Sequence, residues 1–279
     1  MTTTLRPTGP IQEGTDGAKS RAYDVCDNGR PVGTVEIGTD PAFGTTAGVL
    51  RSLSIAESAW RRRGRGTIAV LAAEEVLRAW GCARVSVEVP ADNEPAARLA
   101  AALGYVERGR NMIKDLGPTA PPLPEGVAAR PMTPEEFARW SEAAVDRYAR
   151  SWSDRGVPPE QAMRKSRSDH TRDLPNGQST AGAHFHVLVH GGEVVGHVWV
   201  TVRETGRGEP AGYVFDVEVS EGSRGHGFGR ALMLQAERIA LGAGARSLGL
   251  HVFAENTPAL RLYESLGYRT TRYHLAKPL

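Results

Sequence analysis

The sequence predicts an α/β (α+β) fold built twice in tandem. Three observations carry that expectation. Residues 61–105 and 224–268 align at a constant lag of 163 positions without a gap, and 17 of the 45 pairs are identical. Composition alone does not produce a match of that length, so the chain reads as a duplicated unit. Each copy has the same order of signals: a strand-like run, a Gly-rich turn, an amphipathic helix, a second strand and a short helix. Between the copies lies Gly117–Gly126, which holds four prolines and suits neither a helix nor a central strand. The match extends outward, pairing Gly33 with Gly196, Val35 with Val198, Lys114 with Lys277 and Leu116 with Leu279. The expected organisation is a first domain over 1–117, an extended linker over 118–126 and a second domain over 127–279.

Composition sets mild bounds. At 279 residues the chain is long enough for two compact cores. A net charge of +2 is too small to imply nucleic acid. Two cysteines, Cys26 and Cys82, make no disulfide framework and point to a reducing cytoplasm. The N-terminal MTTTLRPTGPIQEG has no apolar core of a signal peptide, and no run approaches a membrane span.

The elements follow in order. The first copy opens with about twenty polar residues that lack helical period. A hairpin follows: Arg21–Cys26, a turn at Asn28-Gly29, then Val32–Ile37. The second copy opens with a short strand, Val127–Arg130. Thr133 then caps a helix with Pro134 first and Glu135 and Glu136 in its first turn. Phe137, Trp140, Ala144, Val145 and Tyr148 recur at helical spacing. A further helix is expected from Pro158 or Pro159 to about Asp173, ended by the loop Leu174–Gly177. Strands His184–His190 and Glu193–Val202 flank Gly191-Gly192, a hairpin signal. Then come a strand at Gly212–Val219, a helix at Arg230–Leu241, a strand at Ser247–Phe253, a helix at Thr257–Leu266 and a strand at Tyr268–Leu275. The first domain therefore lacks the two-helix layer of the second.

The chemistry points to Val217–Arg230. Glycines in Arg224-Gly225-His226-Gly227-Phe228-Gly229-Arg230 let the backbone take positive φ and approach a ligand closely. Orphan N–H groups at the following helix start favour a diphosphate. The same spacing also serves a plain helix cap with no ligand. The turn is not a dinucleotide fingerprint, because G-x-G-x-x-G with a later acidic residue is absent, and no Gly-Lys-Ser/Thr makes it a P-loop.

Arg224-x-x-Gly227-x-Gly229, the strand before it, and Asn256 with Tyr263 in the run N-x-P-A-x-x-L-Y-E-x-x-G-Y resemble the GNAT superfamily of acyl-CoA N-acyltransferases. The resemblance covers Val127–Leu279 and, less specifically, Arg21–Leu116. It implies two GNAT-type domains, each a mixed, mostly antiparallel sheet flanked by helices. It implies acetyl-CoA as co-substrate and the amine of a small molecule or peptide as acceptor. Backbone of Val217 and Val219 would pair with the pantetheine arm. Backbone N–H groups from Arg224 through Gly225, His226, Gly227, Phe228 and Gly229 to Arg230 would hold the pyrophosphate. Asn256 would contact pantetheine, and Tyr263 would protonate the departing thiolate. Tyr263 also fits simple packing between helix and sheet. Transfer would be direct attack of a neutral amine, with a backbone N–H of the Val219 strand stabilising the oxyanion.

The amine must lose a proton. Asp216 and Glu218 share one strand face beside the expected thioester, and either could be the base or a structural carboxylate. His184, His186, His197 and His251 are further candidates. No Cys/His spacing suggests a metal. Trp140, Tyr148, Trp152, Trp199 and the loop Leu174–Thr180 could line an acceptor pocket or belong to core and surface. Domain one has Ala100 where domain two has Tyr263, which marks it as degenerate. Its Arg61-Arg62-Arg63 and Arg65 would either grip a second CoA or form an exposed basic loop. The rival readings are a non-catalytic CoA-binding or ligand-sequestering protein and a nucleic-acid-associated protein. The modest charge speaks against the latter. A monomer or homodimer is expected, with no membrane partner.

Overall fold

The computed structural model describes residues 2–14, 17–56, 64–204 and 208–279. Of the basic cluster, Arg61–Arg63 lie outside the described residues, while Arg65 is neither in an exposed loop nor open to a phosphate, being buried with Nη2 2.7 Å from Asp27 Oδ2. The elements in chain order are β1 (Thr3–Pro7), β2 (Gln12–Glu13), β3 (Lys19–Asp27), β4 (Arg30–Asp40), β5 (Gly44–Ile55), α1 (Arg65–Ala79), β6 (Arg84–Pro90), α2 (Glu94–Ala102) and β7 (Val106–Asp115). The second repeat adds β8 (Val127–Pro131), α3 (Pro134–Ser153), α4 (Pro159–Asp173), β9 (Ala183–His190), β10 (Glu193–Glu204), β11 (Pro210–Val219), α5 (Phe228–Gly242), β12 (Ser247–Phe253), α6 (Thr257–Ser265) and β13 (Arg269–Pro278).

These form two compact units that do not coincide with the two sequence repeats. Unit 1 comprises residues up to Arg110 together with Arg272–Leu279, and unit 2 comprises Asn111–Thr271. Each repeat thus gives the C-terminal part of its last strand to the other unit. The 118–126 segment lies in unit 2, where the Pro121 carbonyl accepts from Arg238 of α5 at 3.2 Å.

In unit 1 the strands run in the order β1-β3-β4-β5-β6-β13, with β2 on β3. All pairs are antiparallel except β5 with β6. The polar N-terminal stretch supplies β1 on the edge, paired from Thr3–Asp27 to Pro7–Tyr23. Helix α1 packs its Ala69, Val70, Ala73 and Leu77 onto Val25, Val35, Ile37 and Leu50. Among the described residues no helix precedes β3, so the sheet face opposite α1 presents Thr34, Ser52 and Ser54 to solvent.

The borrowed strand is locked by a buried triad. Glu74 of α1 accepts from the Tyr105 hydroxyl at 2.8 Å and pairs with Lys277 of β13 at 2.8 Å. Burial and then the Glu74 charge drive the Tyr105 phenol far above its usual range. Unit 2 repeats the arrangement with Glu237 of α5 and Lys114 of β7, 2.6 Å apart.

In unit 2 the order is β12-β11-β10-β9-β8, with the Asn111–Asp115 part of β7 outside β12. Pairing is antiparallel for β8–β9, β9–β10 and β10–β11 and parallel for β11–β12. Side chains alternate across the sheet. Val198 and Val200 meet Leu232, Met233 and Ala236 of α5 in one core. On the other face Phe185, Val187 and Trp199 meet Trp140 and Ala144 of α3 in a second, aromatic core. Thr133 caps α3 through a reciprocal box with Glu136, as its sequence predicts. Helix α5 begins two residues earlier than its apolar period suggests, because Gly227, at φ 82°, takes the left-handed N-cap position.

Candidate functional site

The site begins where two strands part. Strands β11 and β12 pair only from Gly212–Leu248 to Val214–Leu250. Phe215 is then bulged out, since β10 pairs Trp199 with Asp216 and Val200 with Val214. Beyond it the two strands diverge as a V. The Ser220 N–H donates to the Val195 carbonyl of β10 at 2.9 Å. Alternation then turns the peptide groups of Val217 and Val219 away from β10, toward the opening.

The V leads into the Gly-rich turn. After Val219 the chain makes a short 3-10 turn at Glu221–Ser223, and α5 starts at Phe228. The first N–H groups of α5 have no partner within the helix and face the turn. A Cβ at Gly229 would lie 3.3 Å from Leu262 Cδ2, so this glycine lets α5 and α6 approach. Phe228 is buried against His190 at 5.1 Å, whereas Arg224, Gly225, His226 and Arg230 are exposed. His226 Nδ1 is 3.3 Å from the Ser223 carbonyl, and Arg230 donates to Ser265 Oγ at 2.6 Å. Asn256 caps α6 through Oδ1, which accepts from the Ala259 N–H at 3.2 Å. Asn93 caps α2 in the same way, so helix capping alone accounts for this repeated asparagine.

On the α3 face of β11 the two sequence-predicted carboxylates lie together. Asp216 Oδ2 accepts from Trp140 Nε1 at 2.9 Å, His197 Nε2 at 3.0 Å and Arg147 Nη2 at 3.3 Å. Glu218 Oε2 lies 3.3 Å from Arg147 Nε and 4.0 Å from His197 Nε2. Burial works against ionisation of Asp216. The His197 bond and charge, the Trp140 bond and the Arg147 charge outweigh it and hold the carboxyl below the usual carboxylate range. Sequence reasoning missed Arg147, and its only trace is its place on the helix face that carries Trp140 and Ala144.

Tyr263 of α6 is buried at 6% exposure, with its ring 5.9 Å from that of Tyr268. Burial, and then the Asp216 charge, push its phenol up to about 12. It therefore holds its proton at neutral pH. Trp140 and Trp199 belong to the aromatic core, while Tyr148 and Trp152 are half-buried on α3. His184 and His186 lie on the other face of the sheet, where His186 Nδ1 meets Gln235 of α5 at 3.3 Å. Of the four candidate histidines, His197 and His251 share the carboxylate face. Among the described residues no group of three His, Cys, Asp or Glu side chains could hold a metal ion.

Unit 1 repeats the frame without these side chains. Strands β5 and β6 pair from Ala47–Arg84 to Leu50–Val87 and then stop, with Arg51 bulged. Sheet register puts Ser52 and Ser54 where unit 2 has Asp216 and Glu218, and Thr34 in place of His197.

The Acetyltransferase (GNAT) family matches residues 5–105 and 139–268. The chain belongs to this family. It is an acyltransferase with two tandem GNAT domains. It is 31% identical over 232 residues to a mycothiol acetyltransferase of Saccharomonospora viridis, covering 77% of this chain and 70% of that protein. It is 30% identical over 155 residues to the N-acetyltransferase YycN of Bacillus subtilis, covering 55% of this chain and 99% of YycN. Against the mycothiol acetyltransferases of Streptomyces scabiei and Thermobispora bispora the match spans 59% of each relative's length. Two solved structures share the fold. One is a GCN5-related N-acetyltransferase of Sphaerobacter thermophilus, with TM-score 0.58, 24% identity and coverage of 92% of this chain and 80% of that one. The other is a tandem GNAT protein of the clavulanic acid pathway, with TM-score 0.51, 20% identity and coverage of 95% and 85%. No helix among the described residues is long and apolar enough to cross a membrane.

Proposed function

We propose that unit 2 transfers the acetyl group of acetyl-CoA to the amine of a small molecule. The observation that carries this reading is the V between β11 and β12, whose open edge runs into the N-terminus of α5. Pantetheine adds to that edge through the peptide groups of Val217 and Val219. The pyrophosphate meets the N–H groups of the turn from Arg224 to Arg230. Asn256, with Oδ1 used in the cap, offers its Nδ2–H to the pantetheine. Bound acetyl-CoA supplies an activated acyl carbon.

The other residues act on the acceptor and the leaving group. Asp216 and Glu218 give the α3 face its negative charge and draw a cationic amine to the opening. An N–H of the β11 edge faces the developing oxyanion. Tyr263 donates to the departing sulfur. A phenol near 12 is a weaker acid than a thiol near 8.5, so the hydrogen bond to sulfur matters more than complete transfer. Unit 1 carries no transfer chemistry in this reading, because Ser52, Ser54 and Ala100 stand at the reactive positions. For unit 1 alone a non-catalytic, CoA-binding role is retained. The relatives named mycothiol acetyltransferase favour a small-molecule acceptor over a peptide.

The test is full-length protein with acetyl-CoA against a panel of amines, reading free thiol and the mass of the acetylated product. Acetylated product with stoichiometric thiol is expected. Acetyl-CoA binding without product from any amine would favour the sequestering alternative.

A further inference from the structure

The last strand of the first repeat completes the acceptor face of unit 2. Its Asn111 Oδ1 lies 3.0 Å from His251 Nδ1, and its carbonyl accepts from Thr271 Oγ1 at 3.2 Å. An amide oxygen only accepts, so in this pair His251 Nδ1 is the donor. His251 is the first residue of β12 beyond the last pair with β11, Val214–Leu250. Its ring meets Phe253 at 5.3 Å, and Phe253 meets Trp152 of α3 at 5.2 Å. The imidazole therefore stands at the mouth of the V, on the α3 face that also carries Asp216.

We propose that His251 takes the proton of the acceptor amine and that Asn111 is its positioning residue. This rests on the acetyl-transfer reading above. The nitrogen lone pair forms the C–N bond as the thioester carbonyl opens. Collapse breaks the C–S bond, and the thiolate leaves hydrogen-bonded to the Tyr263 hydroxyl. The surplus proton on nitrogen passes to His251 Nε2 and then to water, which protonates the thiolate. Amide and thiol result, and an amine that arrives as ammonium releases one further proton to solvent.

The neighbours favour imidazole over the carboxylates. Asp216 Oδ2 already accepts three hydrogen bonds. A neutral imidazole also matches an amine in proton affinity better than a carboxylate does. The titratable and charged groups on this face are Asp216 and Glu218 of β11, His197 of β10 and Arg147 of α3. Arg155 stacks on Phe253 at 3.7 Å and pairs with Glu255 at 2.9 Å. From α4, Lys165 and Asp169 pair at 2.8 Å beside Tyr148. Asn111 is the neutral partner among these, and its replacement by a carboxylate has a sign that can be forecast.

The test uses the full chain, acetyl-CoA and the fastest amine from a panel of glucosamine, cysteamine and benzylamine. In Asn111→Asp a carboxylate beside the ring favours imidazolium, so the acid limb of kcat/KM should move up by about one pH unit. His251→Gln should lower kcat/KM by about 10²–10⁴-fold and remove that limb, while calorimetry shows acetyl-CoA affinity unchanged. Long-range proton–nitrogen spectra should show the Nδ1–H tautomer in the wild-type chain. An unmoved limb in Asn111→Asp, or near-wild-type turnover in His251→Gln, overturns this inference and leaves acetyl transfer standing. A wild-type chain that does not bind acetyl-CoA overturns the parent reading and this one with it.

Discussion

Replacing Lys277 by Met isolates the lock on the exchanged strand. The Glu74 side chain is 2% exposed and Lys277 is 14% exposed, so the pair is shielded from water. The variant leaves Glu74 in unit 1 with the Tyr105 hydroxyl and no cation from β13. Removing one partner of a buried pair typically costs about 3–5 kcal/mol. The Tyr105 hydroxyl still donates to the carboxylate, so the expected loss lies at the lower end of that range, about 3 kcal/mol. Hydrogen exchange of α1 and β6 amides reads the loss within unit 1, where a whole-chain melt would mix two units. The double variant Glu74→Gln with Lys277→Met should recover most of the stability. A loss below about 0.5 kcal/mol would mean that Lys277 does not hold Glu74 in place.

Three other outcomes are expected. Tyr263→Phe should lower turnover by about 10²-fold, the lower end of proton-transfer effects, with acetyl-CoA affinity little changed in calorimetry. A wild-type rate where chemistry limits would make the tyrosine structural. Asp216 has a lowered pKa, so its contribution to stability is complete above the unfolded value of about 3.9 and is lost as pH falls through the folded value. Asp216→Asn should flatten that acid limb of unfolding, and an unchanged acid profile would refute the assignment. A fragment of Asn111–Thr271 should be more stable to heating, by circular dichroism, than one of Val127–Leu279. The former keeps the borrowed strand of unit 2. Equal melts would contradict the exchange.

Much of unit 2 was legible in the sequence because its signals are local. The cap at Thr133, the hairpin turn at Gly191-Gly192 and the periodicity of α5 each sit within a few residues of what they determine. The strand exchange was not legible, and the reason is the repeat itself. Lys114 and Lys277 stand at equivalent positions, as do Glu74 and Glu237. Either lysine matches either glutamate, so self-pairing and crossed pairing have the same sequence. The Asp216 cluster was half legible. Strand alternation brings Asp216 and Glu218 to one face, but their donors Trp140 and Arg147 lie 76 and 69 positions from Asp216. Only the packing of α3 on the sheet joins them. Asn111 was hidden for both reasons, since it comes from the other repeat and contacts a residue 140 positions away.

In the proposed function everything depends on acetyl-CoA binding unit 2 with its pyrophosphate at the start of α5. A Cβ added at Gly227, where φ is 82°, would meet no atom within 4 Å, so a side chain there would point into the ligand space. Asn and Asp tolerate that backbone similarly and differ in charge. Calorimetry of acetyl-CoA with the full-length Gly227→Asn and Gly227→Asp variants therefore separates charge from strain. A pyrophosphate at this turn predicts measurable binding by Gly227→Asn and at least about tenfold weaker binding by Gly227→Asp, the effect of about 1.4 kcal/mol of charge repulsion. Equal affinities in the two variants would contradict it.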